Sequence, residues 1–252
     1  MNPVLTLDHV SYSYHTPSGE TPALKDVSFS VRPGSFTSIA GPSGCGKSTL
    51  LSLIAGLIAP EKGCIHFYKS DAMPAAARIG YMLQHDTLLE WRTIYKNILL
   101  GLEVTHQCTE QKKRLAADMM HDYGLASFKN AHPSELSGGM RQRAALIRTL
   151  VLEPDILLLD EPFSALDYQT RLEVSDDIFR IIKEQEKTAL LVTHDISEAI
   201  AMGEQVIVLS SRPASIKNVF DIHLSVDKRT PFSSRTAPEF SAYFHQIWKE
   251  LS

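Results

Sequence analysis

The run GPSGCGKST, residues 41–49, constrains this chain more than any other feature. It fits the phosphate-loop pattern G-x-x-x-x-G-K-[ST], in which backbone amides cradle a nucleotide triphosphate. Gly41, Gly44 and Gly46 let the backbone approach phosphate without Cβ clashes, and Pro42, Ser43, Cys45 and Thr49 fill the remaining positions. The loop amides and the opening of the following helix face the β- and γ-phosphates. Lys47 brings a positive charge to those oxygens, and the Ser48 hydroxyl is a hard oxygen ligand suited to Mg2+. A glycine-rich turn with an exposed lysine would match the same letters. The position of the run between an apolar strand, 36–40, and a helical stretch, 47–57, argues against that. Cys45 lies inside this loop, where its thiol would be accessible without nucleotide; a tolerated small residue is favoured over a redox switch.

A strand–loop–helix unit needs neighbours, and the chain supplies them. Alternating or apolar runs predict strands at 4–10, 27–31, 64–68, 78–83, 156–160, 189–193 and 206–210. Pro, Gly and Ser within 15–22 predict a turn. Helices are expected at 168–186 and 196–202, between strands, so the crossovers should be parallel and the sheet covered on both faces. The unbroken apolar runs ILLL and ALLV suit such doubly buried strands. The stretch 93–152 has helical periodicity, with Ile94, Ile98 and Leu102 on one face and Leu115, Met119 and Met120 on another. Residues 86–148 read as an inserted helical lobe. Strand 206–210 is expected to be the last in the sheet. The stretch beyond it is short for a second domain and ends in an amphipathic helix over 238–251.

Two further segments narrow the chemistry. LSGGMRQR occupies 136–143, and ILLLDEP, an apolar strand ending in two carboxylates, occupies 156–162. Ser137 is a candidate helix N-cap, and Gly138 and Gly139 permit close backbone approach. Asp160 and Glu161 are adjacent on a strand and point to opposite faces, so they need not share a task. A helix-capping acidic pair before Pro162 is the structural alternative.

The three segments, in this order, resemble the ATP-binding cassette (ABC) family, the ATPase subunits that power membrane transporters. The resemblance runs from about Leu5 to Arg212. It implies one α/β domain over 1–252. That domain would have a P-loop NTPase core with a mostly parallel sheet, an N-terminal antiparallel β subdomain and the inserted helical lobe. It implies ATP and Mg2+, with Asp160 holding the metal through water alongside Ser48. Glu161 would polarise the attacking water. Gln84, in YMLQHD, would contact metal and water, and His194, in LLVTHD, the γ-phosphate. SALD, 164–167, would cross a dimer interface. Ser137, Gly138 and Gly139 would meet ATP bound to a second subunit, so a dimer, most simply of identical chains, is implied. On that picture Ser137→Ala or Gly139→Asp should spare nucleotide binding by the single chain and block closure. Tyr14 matches the aromatic that stacks on adenine. Tyr12, two residues earlier, is expected on the other strand face and competes for the role. Leu88, Leu89 and Trp91 fall where the family receives a helix of the membrane subunit; docking and buried packing both remain open.

Composition sets the outer bounds. Of 252 residues 44% are hydrophobic, enough for a sizeable core, and the net charge of −4 gives no general basis for binding nucleic acid directly. Three scattered cysteines make no disulfide framework or zinc site. No apolar run reaches the length of a membrane span, and the N-terminus does not read as a secretory signal. Any membrane role therefore falls to partners: integral permease subunits and, for an importer, a solute-binding protein. The expected place is the cytoplasmic face of the inner membrane, held peripherally. TLLEWRTIYKNILLGLEV and VIVLSSRPASI are similar to the importer branch for nitrate, sulfonates and taurine, which also includes pyrimidine-precursor importers. The rival reading is a soluble ABC ATPase acting on nucleic acid, ribosomes or cofactor assembly. A nucleotide-binding regulator that does not turn over is disfavoured by the presence of Glu161, Gln84 and His194.

Overall fold

The computed structural model describes residues 2–17, 19–68 and 77–251. Strands β1 (Leu5–Thr16) and β2 (Gly19–Val31) pair antiparallel. The turn expected over 15–22 is thus displaced by strand on both sides, because cross-strand pairing runs out to Thr16 and Gly19. Strand β3 (Phe36–Ala40) feeds the glycine loop and helix α1 (Lys47–Ile54), which stops three residues short of the expected end. Strand β4 (Lys62–Phe67) returns to pair with β1, completing a three-stranded antiparallel sheet, β2-β1-β4.

Strand β5 (Ile79–Met82) enters the main sheet. Helices α2 (Ile94–Val104), α3 (Glu110–Asp122) and α4 (Gly138–Leu150) come next. Thr93, Thr109 and Ser137 cap their N-termini by accepting from main-chain amides, which satisfies donors that a first helical turn leaves unpaired. Then come β6 (Ile156–Asp160), α5 (Tyr168–Glu184), β7 (Thr188–Thr193), α6 (Ile196–Met202) and β8 (Gln205–Leu209). The six-stranded sheet has the order β5-β6-β7-β3-β8-β9 and is parallel up to β8.

Strand β9 (Ile216–Asp221) corrects the expectation that the sheet ends at 206–210. It pairs antiparallel with β8 as an edge strand. Its sequence, IKNVFD, buries little, so the alternation that betrays a strand is weak. After the short α7 (Pro231–Ser234), helix α8 (Phe240–Leu251) packs on α6 and β8 through Ile247.

Two cores explain the unbroken apolar strands. Leu157 and Leu159 of β6, with Ala189 and Leu191 of β7, pack with α2–α5 on one face. Ile156 and Leu158, with Leu190 and Val192, pack with α1 and the antiparallel sheet on the other. Alternate side chains thus meet two different cores, and neither strand face can be polar.

Candidate active site

The sheet order brings the sequence motifs together. Strands β5, β6, β7 and β3 are parallel neighbours, so their carboxyl ends lie side by side. Gln84 follows β5, Asp160 closes β6 and Glu161 comes directly after it, His194 follows β7, and the glycine loop follows β3. In open α/β sheets this edge is where ligands bind.

In the loop, Gly46 has φ of 128°, and a Cβ there would sit 2.9 Å from the Ala23 carbonyl oxygen. Only glycine meets both demands. Lys47 is 5% exposed and donates to the carbonyls of Gly41 at 2.9 Å and Pro42 at 3.0 Å. Its Nζ also lies 3.9 Å from Glu161 Oε1. A cleft of about 330 Å³ is lined by Ser43, Gly44, Gly46, Lys47, Ser48 and Thr49, together with Gln84 and Glu161. Cys45 is buried rather than accessible, in keeping with the blander reading of a tolerated small residue. Its Sγ fills the space against Gly41, and burial pushes the thiol pKa up.

The two carboxylates face different groups. Asp160 accepts from Ser48 Oγ and from Tyr81 Oη, each at 3.3 Å. Burial pushes its carboxyl up, and those two hydrogen bonds pull it back. Tyr81 escaped the sequence reading because no motif marks it. Its phenol is pushed up to about 12, first by burial and then by Asp160.

Glu161 Oε2 accepts from His194 Nδ1 at 2.9 Å and faces Gln84 Nε2 at 3.5 Å. The same amide reaches Ser164 Oγ at 3.5 Å. Glu161 itself has φ of 45°, a conformation that a residue with a Cβ rarely adopts. Its N–H donates to Val192 O at 2.9 Å, and its carbonyl accepts from both the amide and the hydroxyl of Ser164. Strain held by surrounding bonds in this way is common at working sites.

Ser137 and Gly138–Gly139 do not line that cleft among the described residues. Ser137 is exposed, and its Oγ accepts from Met140 N–H at 3.3 Å. Gly139 is buried: a Cβ there would lie 2.7 Å from Val174 Cγ2 on α5. Gly139→Asp is therefore no clean probe of dimer closure, contrary to the expectation from sequence. It should lower the melting temperature of the nucleotide-free chain, since overpacking costs about 1–3 kcal/mol before any charge is buried. Ser137→Ala should lose only about 1 kcal/mol of helix capping. Equal melting temperatures for Gly139→Asp and wild type would contradict this packing.

Tyr14 and Tyr12 lie on the same face, with ring centroids 5.1 Å apart and edge to face. The expectation of opposite faces fails because strand side chains repeat every two residues. Tyr14 is 40% exposed and hydrogen-bonds Thr49 Oγ1 at 3.0 Å, whereas Tyr12 packs against the core beneath. Leu88 is core, Leu89 is half-buried, and Trp91 is 76% exposed.

The ABC transporter family model matches residues 24–164, more than half the chain. The chain belongs to the ABC transporter family. An uncharacterized ABC transporter ATP-binding protein of Bacillus subtilis is 47% identical, over 98% of this cassette and 95% of that protein. A nitrate import ATP-binding protein of Synechocystis sp. is 39% identical, over 91% and 88% respectively. Sulfonate and taurine import ATP-binding proteins are 36% identical over at least 90% of the chain. A solved ATP-binding cassette, dimeric and bound to ADP and Pi after hydrolysis, superposes with a TM-score of 0.72. It is 29% identical and covers 87% of this chain and 99% of its own. The cassette is thus an ATPase of α/β fold. No described helix is long and apolar enough to cross a membrane.

Proposed function

We propose that this cassette is the ATP-hydrolysing subunit of a membrane importer for a small polar solute of the nitrate, sulfonate or taurine kind. The observation that carries the catalytic part is the convergence of Lys47, Ser48, Asp160, Glu161, Gln84 and His194 on four adjacent strand ends. The import direction and solute class are supported by the relatives' names alone.

In this reading Lys47 and the loop amides bind the β- and γ-phosphates, and Tyr14 stacks on adenine. Ser48 Oγ and the Gln84 side-chain oxygen, with Asp160 acting through water, would suit Mg2+, which takes few carboxylates and leaves room for phosphate and water. The buried Asp160 carboxylate beside the Ser48 hydroxyl fits that ion. When bound, Mg2+ neutralises phosphate charge. Glu161 accepts a proton from the attacking water, while the His194 contact fixes its orientation. Gln84 closes the water position from the β5 side. Catalysis here is chiefly positioning and charge neutralisation.

Ser137, Gly138 and Gly139 cap the γ-phosphate held by a second, identical cassette, so two chains close over two nucleotides. Closure drives integral permease subunits at the cytoplasmic face of the inner membrane, with a solute-binding protein delivering cargo. The net charge of −4 supports the absence of a direct nucleic-acid role. Exposed Trp91, rather than core Leu88, is the contact for the permease.

Cells lacking this protein should lose uptake of at least one of nitrate, alkanesulfonates, taurine or pyrimidine precursors. Unchanged uptake of them all, with efflux of another compound lost, would overturn the importer reading. Trp91→Glu should abolish uptake and leave hydrolysis by the isolated protein within about twofold, because a charge in an apolar contact is costly to desolvate. Normal uptake with that variant would remove Trp91 from the permease contact.

A further inference from the structure

Tyr81 belongs to no motif, yet its hydroxyl reaches the candidate cation site. Alternate residues of a strand share a face. Ile79 and Tyr81 of β5, with Ile156 and Leu158 of β6, face the core shared with α1. Tyr81 lies level with Leu158 across the parallel pair, and Asp160 is two residues further along the same face of β6. The Tyr81 ring packs against that core, which the ring of a phenylalanine would do as well. The hydroxyl is what packing does not require.

That hydroxyl closes a circuit of polar contacts. Tyr81 Oη donates to Asp160 Oδ2 at 3.3 Å, and Ser48 Oγ donates to Asp160 Oδ1 at 3.3 Å. One turn along α1, Ser52 Oγ donates to Ser48 O at 2.8 Å, and the Ser52 side chain also meets the Tyr81 hydroxyl. Strand β5 and helix α1 thus grip the carboxylate at the end of β6 from two sides. Asp160 is 7% exposed, so little water is at hand to replace Tyr81 on Oδ2. With each oxygen held by a different element, the carboxylate resists turning about its Cβ–Cγ bond.

We infer that Tyr81 is a positioning residue for the cation of Mg-ATP: by holding Asp160 Oδ2 it keeps Oδ1 beside Ser48, where the two can serve a hydrated divalent ion. The inference rests on the ATPase reading proposed above. Groups that orient a metal-site side chain from behind are worth about 10–100-fold in metal affinity or activity.

The test is Tyr81→Phe, which removes one oxygen and keeps the ring. Mn2+ is the probe, and the protein carries Glu161→Gln and is held in excess over ATP, so that the nucleotide is bound and not consumed. The EPR signal of free Mn2+ then reads the affinity of the ATP-bound protein for the ion. Adding Tyr81→Phe should weaken that affinity about tenfold. In the chain with Glu161 intact, Tyr81→Phe should raise the Mg2+ concentration for half-maximal phosphate release by a similar factor, while kcat at saturating Mg2+ changes less than about threefold. ATP affinity measured in EDTA should also stay within about threefold, because Lys47 and the loop amides are untouched. A folded Tyr81→Phe with wild-type Mn2+ affinity and Mg2+ requirement would overturn the inference. So would a variant that loses as much ATP affinity in EDTA as Mn2+ affinity, since Tyr81 would then support the loop rather than the cation. Either result, with wild type still needing a divalent ion for turnover, would leave the ATPase reading standing. Turnover by wild type in EDTA would overturn the inference together with the Mg2+ assignment beneath it.

Discussion

Glu161→Gln is expected to bind ATP with near wild-type affinity and to lose turnover by about a hundredfold to ten-thousandfold, the range for removing a general base. The carboxylate lies where Lys47 Nζ, His194 Nδ1 and Gln84 Nε2 converge. An amide of the same shape keeps one acceptor oxygen but has neither the negative charge nor the basicity to take a proton from water. The left-handed backbone at residue 161 belongs to the main chain and its bonds to Val192 and Ser164, so the substitution should not relax it. With hydrolysis blocked, the ATP-bound dimer should accumulate. Phosphate release and light scattering with Mg-ATP measure the two effects. A Glu161→Gln protein that hydrolyses at the wild-type rate would remove Glu161 from the chemistry.

Lys47→Ala should fail earlier, at nucleotide binding. The ammonium is almost wholly buried, with two loop carbonyls as acceptors and a carboxylate 3.9 Å away. A charge-assisted bond to phosphate in such a site is worth about 1.5–3 kcal/mol. Two lost bonds weaken ATP binding by roughly a hundredfold or more. Titration with a fluorescent ATP analogue reads this directly. The contrast between the two variants is informative: Glu161→Gln should trap nucleotide, and Lys47→Ala should not acquire it. Tight binding by Lys47→Ala would show that the loop amides alone hold the phosphates.

The site was largely legible in the sequence because its parts are local. The glycine loop, the LSGG cap and the Asp-Glu strand end each need specific residues at fixed short spacing, and that spacing survives any packing. Ser137 caps α4 as its position before Gly138 predicted. The doubly buried strands β6 and β7 were equally plain, since both faces of each meet a core. What sequence missed depends on contacts between distant segments. Strand β9 is an edge with little burial, so no periodicity announces it. Tyr81 matters only because β5 lies beside β6. Gly139 has a signature-motif reading, but its tolerance to substitution is set by Val174, thirty-five residues on, across the α4–α5 contact.

The sequence by itself determined the kind of chemistry: a phosphate loop and an apolar strand ending in a pair of carboxylates imply nucleotide hydrolysis, because each is a short-range demand on backbone geometry or charge. Tertiary structure alone decided which groups meet. Strand order places Gln84, Glu161 and His194 within hydrogen-bond reach although they are spread over more than a hundred residues. It puts Leu88 in the core and leaves Trp91 in solvent. It also sets Arg148 of α4 against the carbonyls of Asp86 and Thr87. The physical reason is that burial and hydrogen-bond partnership are properties of packed neighbours, and neighbours in a parallel sheet are fixed by crossover order rather than by distance along the chain.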